Sequence, residues 1–307
     1  MIYFQGDDFK AKKWCSFFKE NTTHFKTLKD LISLFKQVKS GDKIFFRYQN
    51  NPENFLSSLM ILMVLILIIL KFRYLKADVY WICHNVDLDT SPYHKRIEKL
   101  RRTLLKYTAK HIFVLHHSFI KYIKRENVTA ITFGKKTGGS FSEWNLTQIA
   151  EHSKKFDKTI LIAGQDGGKY KHFDRIQEIY DAFRSVGIIV GFVLIGANSN
   201  RQYPKALKTN ILLITEKNIS EVSINSYIDY IYRENNDISI PYTIYAAASA
   251  SIPIIVNEDN CLYEVVKESD IGGSLNDVIL SQDSEPYKFD EFLAKHNWMS
   301  LYDFFNK

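Results

Sequence analysis

The sequence has few cysteines, and none of them has the spacing of a metal ligand. Cys15, Cys83 and Cys261 lie far apart in a chain of 307 residues. Three scattered cysteines cannot all pair with one another, and they include no Cys-x-x-Cys pair of the kind that holds zinc. The cysteine content therefore predicts a protein of a reducing, cytoplasmic compartment.

Several sequence signatures are also missing. Met1–Phe4 is predicted to be a strand, which leaves no room for the charged and apolar regions of a secretory signal. The basic half lacks a zinc-finger spacing, an RNA-binding aromatic signature and a convincing helix-turn-helix, so nucleic acid is not expected as a partner. A GxGxxG dinucleotide fingerprint is absent too, which argues against an oxidoreductase.

The sequence has no uninterrupted apolar run long enough to cross a membrane. The run from Leu59 to Leu70 contains twelve apolar residues. A spanning helix needs about 20, whereas 10–14 indicates a core helix or an interfacial helix. The run predicts a helix that packs on a sheet and that can also contact lipid, and it argues against a transmembrane span.

Positive charge is concentrated in the first half of the chain. Residues 1–150 contain 25 Lys and Arg against 12 Asp and Glu, a net charge of +13, while residues 151–307 have a net charge of −6. Such asymmetry predicts two bodies, the first facing an anionic partner. Together with the apolar run and a basic amphipathic helix near Tyr93–Ala109, it favours an anionic membrane surface. We expect a cytoplasmic protein peripherally associated with the inner face of the membrane.

Strand and helix patterns alternate along the chain, and 46% of the residues are apolar. Such alternation predicts parallel sheets, here in an α/β protein with two doubly wound Rossmann-like domains. We place the first domain at residues 1–150, the second at 151–288, and a terminal helix at 289–307 that crosses back to the first. The predicted strands are Met1–Phe4, Asp42–Tyr48, Asp78–His84, His111–Leu115, Thr159–Ala163, Val190–Ile195, Ile211–Ile214, Ile228–Tyr232 and Ile252–Val256.

The segment Ile238–Val256 is the most informative motif. Its pattern predicts a loop, a helix opened by Pro241, a tight turn and a buried strand. Helix N-termini at the ends of parallel strands bind phosphate through unpaired N–H groups. Physically, the segment is a candidate nucleotide-phosphate site.

This segment resembles the donor-binding helix and following strand of bacterial GT-B glycosyltransferases, including family 4-like members and short adhesin- and polysaccharide-modifying enzymes. Three further segments resemble the same family: Val79–Asn85 its strand ending in a His-Asn pair, Gly164–Lys171 its glycine-containing phosphate loop, and Ile271–Gly273 its closing loop. The resemblance implies a GT-B fold with two domains facing a cleft, the first binding acceptor and the second a nucleotide diphosphate sugar. It also implies a glycan or lipid-linked acceptor in capsule, lipopolysaccharide or glycoprotein assembly, and no cofactor. The oligomeric state stays open.

The donor-binding residues follow from these segments. His84 ends a buried strand, where its imidazole can bind a sugar hydroxyl or phosphate, although a core histidine is the plain alternative. Lys169 and Lys171 flank a glycine-rich turn, where fixed donors can stabilise a diphosphate leaving group. Many family members carry two glutamates with seven residues between them, and Asp237 and Tyr245 stand at those positions here. The predicted donor-binding set is His84, Gly167, Gly168, Lys169, Lys171, Asp237, Pro241, Tyr242, Thr243 and Tyr245.

Three residues after the His84 strand are candidates for the general base. An acceptor hydroxyl must lose its proton, and Asp87, Asp89 and His94 all follow the strand end. Asp87 and Asp89 also spell the DxD pattern with which GT-A enzymes hold a divalent cation. We predict no resident metal, and keep a metal-dependent GT-A transferase and a non-catalytic, membrane-docked subunit of a glycan assembly complex as alternatives.

Overall fold

The computed structural model describes the chain in nine stretches, which alternate strands and helices throughout. They group into two compact units, Met1–Phe133 with Asp237–Ser239 and Trp298–Lys307, and Gly134–Asn236 with Ile240–Asn297. The described residues are 1–47, 52–86, 93–134, 143–163, 172–196, 202–214, 226–235, 238–280 and 287–306.

The strands form two sheets that are parallel throughout their described pairings. The first has the order β2-β1-β3-β4-β5-β6 and the second β12-β11-β10-β7-β8-β9. The strands are β1 Ile2–Gln5, β2 Thr22–Phe25, β3 Lys43–Phe46, β4 Asp78–Cys83, β5 His111–Val114, β6 Val128–Ala130, β7 Lys158–Ala163, β8 Val190–Ile195, β9 Ile211–Ile214, β10 Tyr230–Tyr232, β11 Ile254–Ile255 and β12 Gly272–Gly273.

Helices connect the strands and cover the sheets, as expected for parallel strands, which need crossover connections. Together they confirm the α/β, doubly wound architecture predicted from the alternation. They are α1 Phe9–Cys15, α2 Leu28–Gln37, α3 Phe55–Leu75, α4 Lys95–Thr108, α5 Ile120–Ile123, α6 Glu143–Ser153, α7 Ile176–Ser185, α8 Tyr242–Ser249, α9 Cys261–Glu268, α10 Leu275–Leu280, α11 Phe289–Lys295 and α12 Ser300–Phe305.

One face of the first sheet is aromatic. Phe4, Phe45 and Tyr80 lie on neighbouring strands, and their ring centroids are 5.2 Å and 5.0 Å apart. Phe305 of α12 packs edge-on against Tyr80 at 5.0 Å. Ser300 fixes the start of α12, since its hydroxyl accepts a hydrogen bond from the Thr132 backbone N–H at 2.9 Å and donates to the Thr132 carbonyl at 3.1 Å. The segment from Trp298 onward thus completes the core of the first unit.

The terminal stretch differs from its prediction as one helix over 289–307. It forms α11 and α12, of which α11 packs on α8 in the second unit. The division after Phe133 also differs from the expected boundary at residue 150, because α6 packs on β8 and β9.

α3 extends well beyond the apolar run that predicted it. Asn54 caps its N-terminus by accepting a hydrogen bond from the Ser57 N–H at 3.2 Å, and Lys76 ends it in the left-handed conformation. Its 21 residues are long and apolar enough to cross a membrane by length and composition, and one third of its most apolar window is buried. The length argument against a span was therefore wrong. Since α3 connects β3 to β4, which pair in register, a spanning α3 would place paired strands on opposite sides of the bilayer.

Ile271–Gly273 was expected to form a closing loop, and this prediction was wrong. Gly272 and Gly273 form the edge strand β12, paired with Ile254 and Ile255 of β11. Gly272 has a φ of +155°, and a Cβ at this position would lie 2.0 Å from the Ile254 carbonyl oxygen. Glycine is required here because the backbone of β11 occupies the space that a side chain would need.

Candidate functional site

The carboxyl edge of the first sheet brings together polar side chains from three neighbouring strands. Gln5 ends β1, Arg47 follows β3 and His84 follows β4. Arg47 Nε donates to His84 Nε2 at 3.0 Å, its Nη1 lies 3.2 Å from both carboxylate oxygens of Asp8, and its backbone N–H donates to Gln5 Oε1 at 2.6 Å. The carboxyl ends of parallel strands are where α/β sheets bind ligands, so this cluster is a candidate site.

Arg47 contacts each of the other polar residues in this cluster. Its side chain is fully buried, whereas the Asp8 side chain is 42% exposed. The guanidinium lies 5.7 Å from the Phe4 ring and 5.5 Å from the Trp14 ring. A buried guanidinium must be paired and hydrogen-bonded to be tolerated. Asp8 meets this need while its carboxylate, which also caps α1 through the Ala11 N–H, stays open to solvent.

His84 is a neutral, buried imidazole. Burial, followed by the positive charges of Arg47 and Lys10, holds its pKa well below the usual value. Because Nε2 accepts the hydrogen bond from Arg47, the ring proton resides on Nδ1. The ring also packs near Trp14 and Phe133, at 5.8 Å and 6.2 Å. In this conformation His84 orients Arg47, and a contact with the donor stays a prediction.

Lys10 is a site residue that the sequence analysis missed. Burial, assisted by Arg47 and opposed by Asp8, lowers the pKa of its ammonium to about 8. Its Nζ lies 4.4 Å from the centre of the Phe133 ring. Both cations could be found from the sequence. Lys10 lies in the first turn of α1, which follows β1, and Arg47 directly follows β3, so both positions fall at the carboxyl edge of the sheet.

Stability should depend on pH through Lys10. The folded pKa is about 8 and the ordinary value is 10.5. Between these values the unfolded state binds more protons, so the free energy of unfolding rises with pH across this window. Lys10→Met should reduce that rise and stabilise the protein at pH 7 by up to roughly 3 kcal/mol. Urea unfolding of both proteins at pH 7 and pH 10 measures the difference, and equal pH slopes would contradict it.

The two residues before the undescribed part of the loop after β4 are bound by Arg102 of α4. Arg102 donates hydrogen bonds to the carbonyls of Asn85 and, at 2.8 Å, Val86. Val86 N–H also donates to the Ile238 carbonyl at 2.8 Å. Asp87 and Asp89, the first two candidates for the general base, lie outside the described residues.

His94 has a structural position at the start of α4. Its backbone is left-handed, with a φ of 51°. Nε2 lies 2.9 Å from the Glu53 carbonyl, to which it must donate, and the ring packs against Phe55 at 5.3 Å. His94 therefore joins the start of α3 to the start of α4, and its role as a base stays a prediction.

In the second unit, α8 has the predicted form. Pro241 precedes it in an extended conformation, and Tyr242 and Thr243 in its first turn are half-buried. Tyr245 is fully buried, and its ring packs against Phe292 and His296 of the α11 segment at 5.5 Å and 5.7 Å. In this conformation Tyr245 packs α8 against the α11 segment. A contact between Tyr245 and ribose stays a prediction.

The carboxyl edge of the second sheet carries a buried arginine that the sequence analysis missed. Arg233 follows β10, and its Nη1 donates to the Ala163 carbonyl at the end of β7 at 2.7 Å. The following residue, Glu234, accepts a hydrogen bond from Tyr232 Oη at 2.7 Å. The predicted glycine-rich loop starts directly after Ala163. The predicted donor-binding residues of that loop lie outside the described residues; they are Gly167, Gly168, Lys169 and Lys171. Asp237 also lies outside them.

A cavity of about 270 Å³ opens at the ends of β10, β11 and β12. Three of its lining residues are acidic, namely Glu178, Glu258 and Asp259. Carboxylates repel a diphosphate, so this cavity does not fit the phosphates of a nucleotide sugar. The part of this sheet edge next to Arg233 matches an anion better than the cavity does, because the Arg233 side chain is a cation.

Several solved structures of glycosyltransferases share this architecture. The chain is 13% identical to an S. aureus TarM mutant, determined with fondaparinux, α-GlcNAc-glycerol and UDP, with a TM-score of 0.52 over 90% of this chain and 58% of that one. It is 12% identical to a UDP-forming α,α-trehalose-phosphate synthase from Burkholderia vietnamiensis, with a TM-score of 0.56 over 91% and 76%. It is 11% identical to the kitacinnamycin glycosyltransferase, with a TM-score of 0.53 over 99% and 98%.

These similarities define the fold of the chain. Its two parallel six-stranded sheets with their helices form the GT-B fold, as the sequence resemblance implied. The alternative of a GT-A architecture is therefore wrong. No protein-family model and no curated protein matches the sequence. The chain spans less than two thirds of the length of TarM and nearly all of the kitacinnamycin enzyme.

Proposed function

We propose that the protein is a glycosyltransferase that moves a sugar from a nucleotide diphosphate sugar to a glycan or lipid-linked acceptor. The observation that carries the proposal is the GT-B fold, shared over 98% of the length of a glycosyltransferase. UDP-sugars are the first donors to test, since TarM was determined with UDP and the trehalose-phosphate synthases are UDP-forming. The proposed setting is bacterial surface polysaccharide or glycoconjugate assembly.

In the proposed reaction, an acceptor oxygen forms a bond to the anomeric carbon while the bond from that carbon to the diphosphate oxygen breaks. The electron pair leaves with the diphosphate, and the acceptor proton passes to a carboxylate or imidazole. In this proposal the first turn of α8 supplies N–H donors, and Lys169 and Lys171 supply positive charge for the leaving group. Fixed donors stabilise the charge that develops there. Arg233 supports this assignment by placing a cation beside the end of β7.

Nucleotide binding tests the proposal directly. A ligand that binds the native state alone stabilises it by about 2.7 kcal/mol at 100 times its Kd. Thermal unfolding with UDP, GDP and ADP, and with their sugars, should show a raised Tm for one nucleotide. Binding without turnover or donor hydrolysis across the panel would favour the non-catalytic subunit. Turnover that survives EDTA would argue against a metal at Asp87 and Asp89.

Lys171→Ala should weaken binding of the stabilising nucleoside diphosphate by roughly 10- to 100-fold, because a hydrogen bond to a charged group contributes about 1.5–3 kcal/mol. Isothermal titration calorimetry measures the change. Lys154→Ala is the matched control, since Lys154 is an exposed lysine of the same unit. Equal affinity of a folded Lys171→Ala variant and the control would remove Lys171 from the site.

A further inference from the structure

α3 presents a continuous apolar stripe to solvent. The spacing of its residues alternates between four and three, which places them on one face of the helix. Their exposed fractions lie between 52% and 66%. The stripe is about 21 Å long at 1.5 Å per residue. It consists of Leu56, Met60, Met63, Leu67 and Leu70.

The opposite face of α3 packs in the core of the first unit. Its residues follow the same alternation, and each is less than 9% exposed. They are Ser58, Leu62, Leu65, Ile69 and Phe72. α3 therefore has two apolar faces, of which the fold buries one. Large contiguous apolar patches are rare on soluble monomers and mark sites of interaction.

Positive charge predominates on the two helices that pack against α3. α2 and α4 pack against α3, and each carries exposed basic residues. On α2, Asp30 is held in a capping box with Thr27, while Glu98 of α4 is buried. The exposed basic residues are Lys29 and Lys36 on α2, Arg73 at the end of α3, and Lys95, Arg96 and Lys99 on α4. The stripe thus has exposed cations on its own helix and on both neighbouring helices, and we call these cations its basic border.

We infer that the α3 stripe and its basic border bind the surface of an anionic lipid bilayer, with α3 lying in the plane of the interface. An apolar face bordered by lysine and arginine matches the layering of acyl chains beneath anionic headgroups. The packed face of α3 and the pairing of β3 with β4 keep the helix from crossing. This inference goes beyond sugar transfer, because it holds whether or not the protein is a transferase.

Vesicle co-sedimentation tests the inference with two triple variants. Leu56→Gln/Met63→Gln/Leu67→Gln changes the stripe. Val186→Gln/Ile189→Gln/Leu280→Gln is the control, because these residues of the second unit are 50%, 56% and 83% exposed. On vesicles of phosphatidylcholine with phosphatidylglycerol, we expect the stripe variant to bind at least about tenfold more weakly than wild type and the control to bind normally.

The basic border predicts a separate effect. Lys95→Gln/Arg96→Gln/Lys99→Gln should weaken binding to the anionic vesicles and reduce its dependence on salt, because screening shortens from about 10 Å at 0.1 M to 3 Å at 1 M ionic strength. On phosphatidylcholine alone, this variant and the wild type should bind equally. Equal salt dependence on anionic vesicles would contradict the electrostatic part of the inference.

Met63→Trp locates the contact even if the triple variant fails to fold. Its fluorescence should shift to the blue on anionic vesicles and be quenched by brominated acyl chains, while Leu280→Trp should show neither change. Absence of quenching at position 63 would overturn the inference. The inference would also be overturned if the wild type did not bind vesicles but formed a dimer, and the stripe variant were monomeric. The stripe would then bind a second copy of the chain.

Discussion

Asp87→Asn or Asp89→Asn is expected to lower turnover by roughly 10²–10⁴-fold while nucleotide binding persists, since a general base contributes about that factor and asparagine keeps the shape without the basicity. His94 is the weaker candidate of the three. Its Nε2 is committed to the Glu53 carbonyl and its ring to Phe55, so His94→Ala should alter stability more than turnover.

The matched control for these variants is a substitution of Asp78. Asp78 begins β4 at the opposite edge of the sheet, where its carboxylate pairs with Lys110 at 2.8 Å. Asp78→Asn should leave turnover unchanged, since ligands bind at the carboxyl ends of such strands. Steady-state kinetics with the donor found by thermal unfolding provides the measurement. Near-normal turnover of Asp87→Asn, Asp89→Asn and His94→Ala together would place the base elsewhere.

Gly272→Ala is expected to destabilise the second unit by about 3 kcal/mol or more, because overpacking and an unfavourable backbone conformation each cost about 1–3 kcal/mol. The new Cβ would lie 2.0 Å from the Ile254 carbonyl oxygen and 2.6 Å from its nitrogen, so β11 and β12 would have to separate.

Gly187→Ala separates the two contributions. Gly187 also has a positive φ, +81°, but nothing lies within 4 Å of the Cβ position. Its substitution should therefore cost only about 1 kcal/mol, from the backbone alone. Urea unfolding followed by hydrogen exchange on β11 compares the two variants. Similar losses for both would show that β12 moves away from β11 at little cost.

The periodicity of the sequence predicts most of the strands. Val190–Ile195 and Ile211–Ile214 have the bounds expected, because each is a short β-branched or apolar run; the second lies between the polar residues Asn210 and Thr215. β2 was missed, since Thr-Thr-His-Phe has a single buried residue and lies at the sheet edge. β12 was missed because two glycines carry no apolar pattern. In such strands the pairing partner, rather than the side chains, determines the structure.

The candidate site is less predictable than the fold. His84 was found because it ends a strongly apolar strand, whereas its partner Arg47 is 37 residues away along the chain. Only the strand order β1-β3-β4 places Arg47 between Asp8 and His84, and no local pattern encodes that order. The low pKa of Lys10 likewise arises from burial and from Arg47, neither of which is visible in its neighbours in sequence.

The way the first unit closes has a consequence for synthesis on the ribosome. Trp298 packs against Trp14 and Phe133, and Phe305 covers Phe45 and Tyr80. At 5–20 residues per second, translation takes roughly 8–33 s to proceed from Phe133 to Trp298. Throughout that interval the aromatic face of the first sheet lacks its cover in the nascent chain. Chaperone demand should therefore be greatest for this half of the newly made protein.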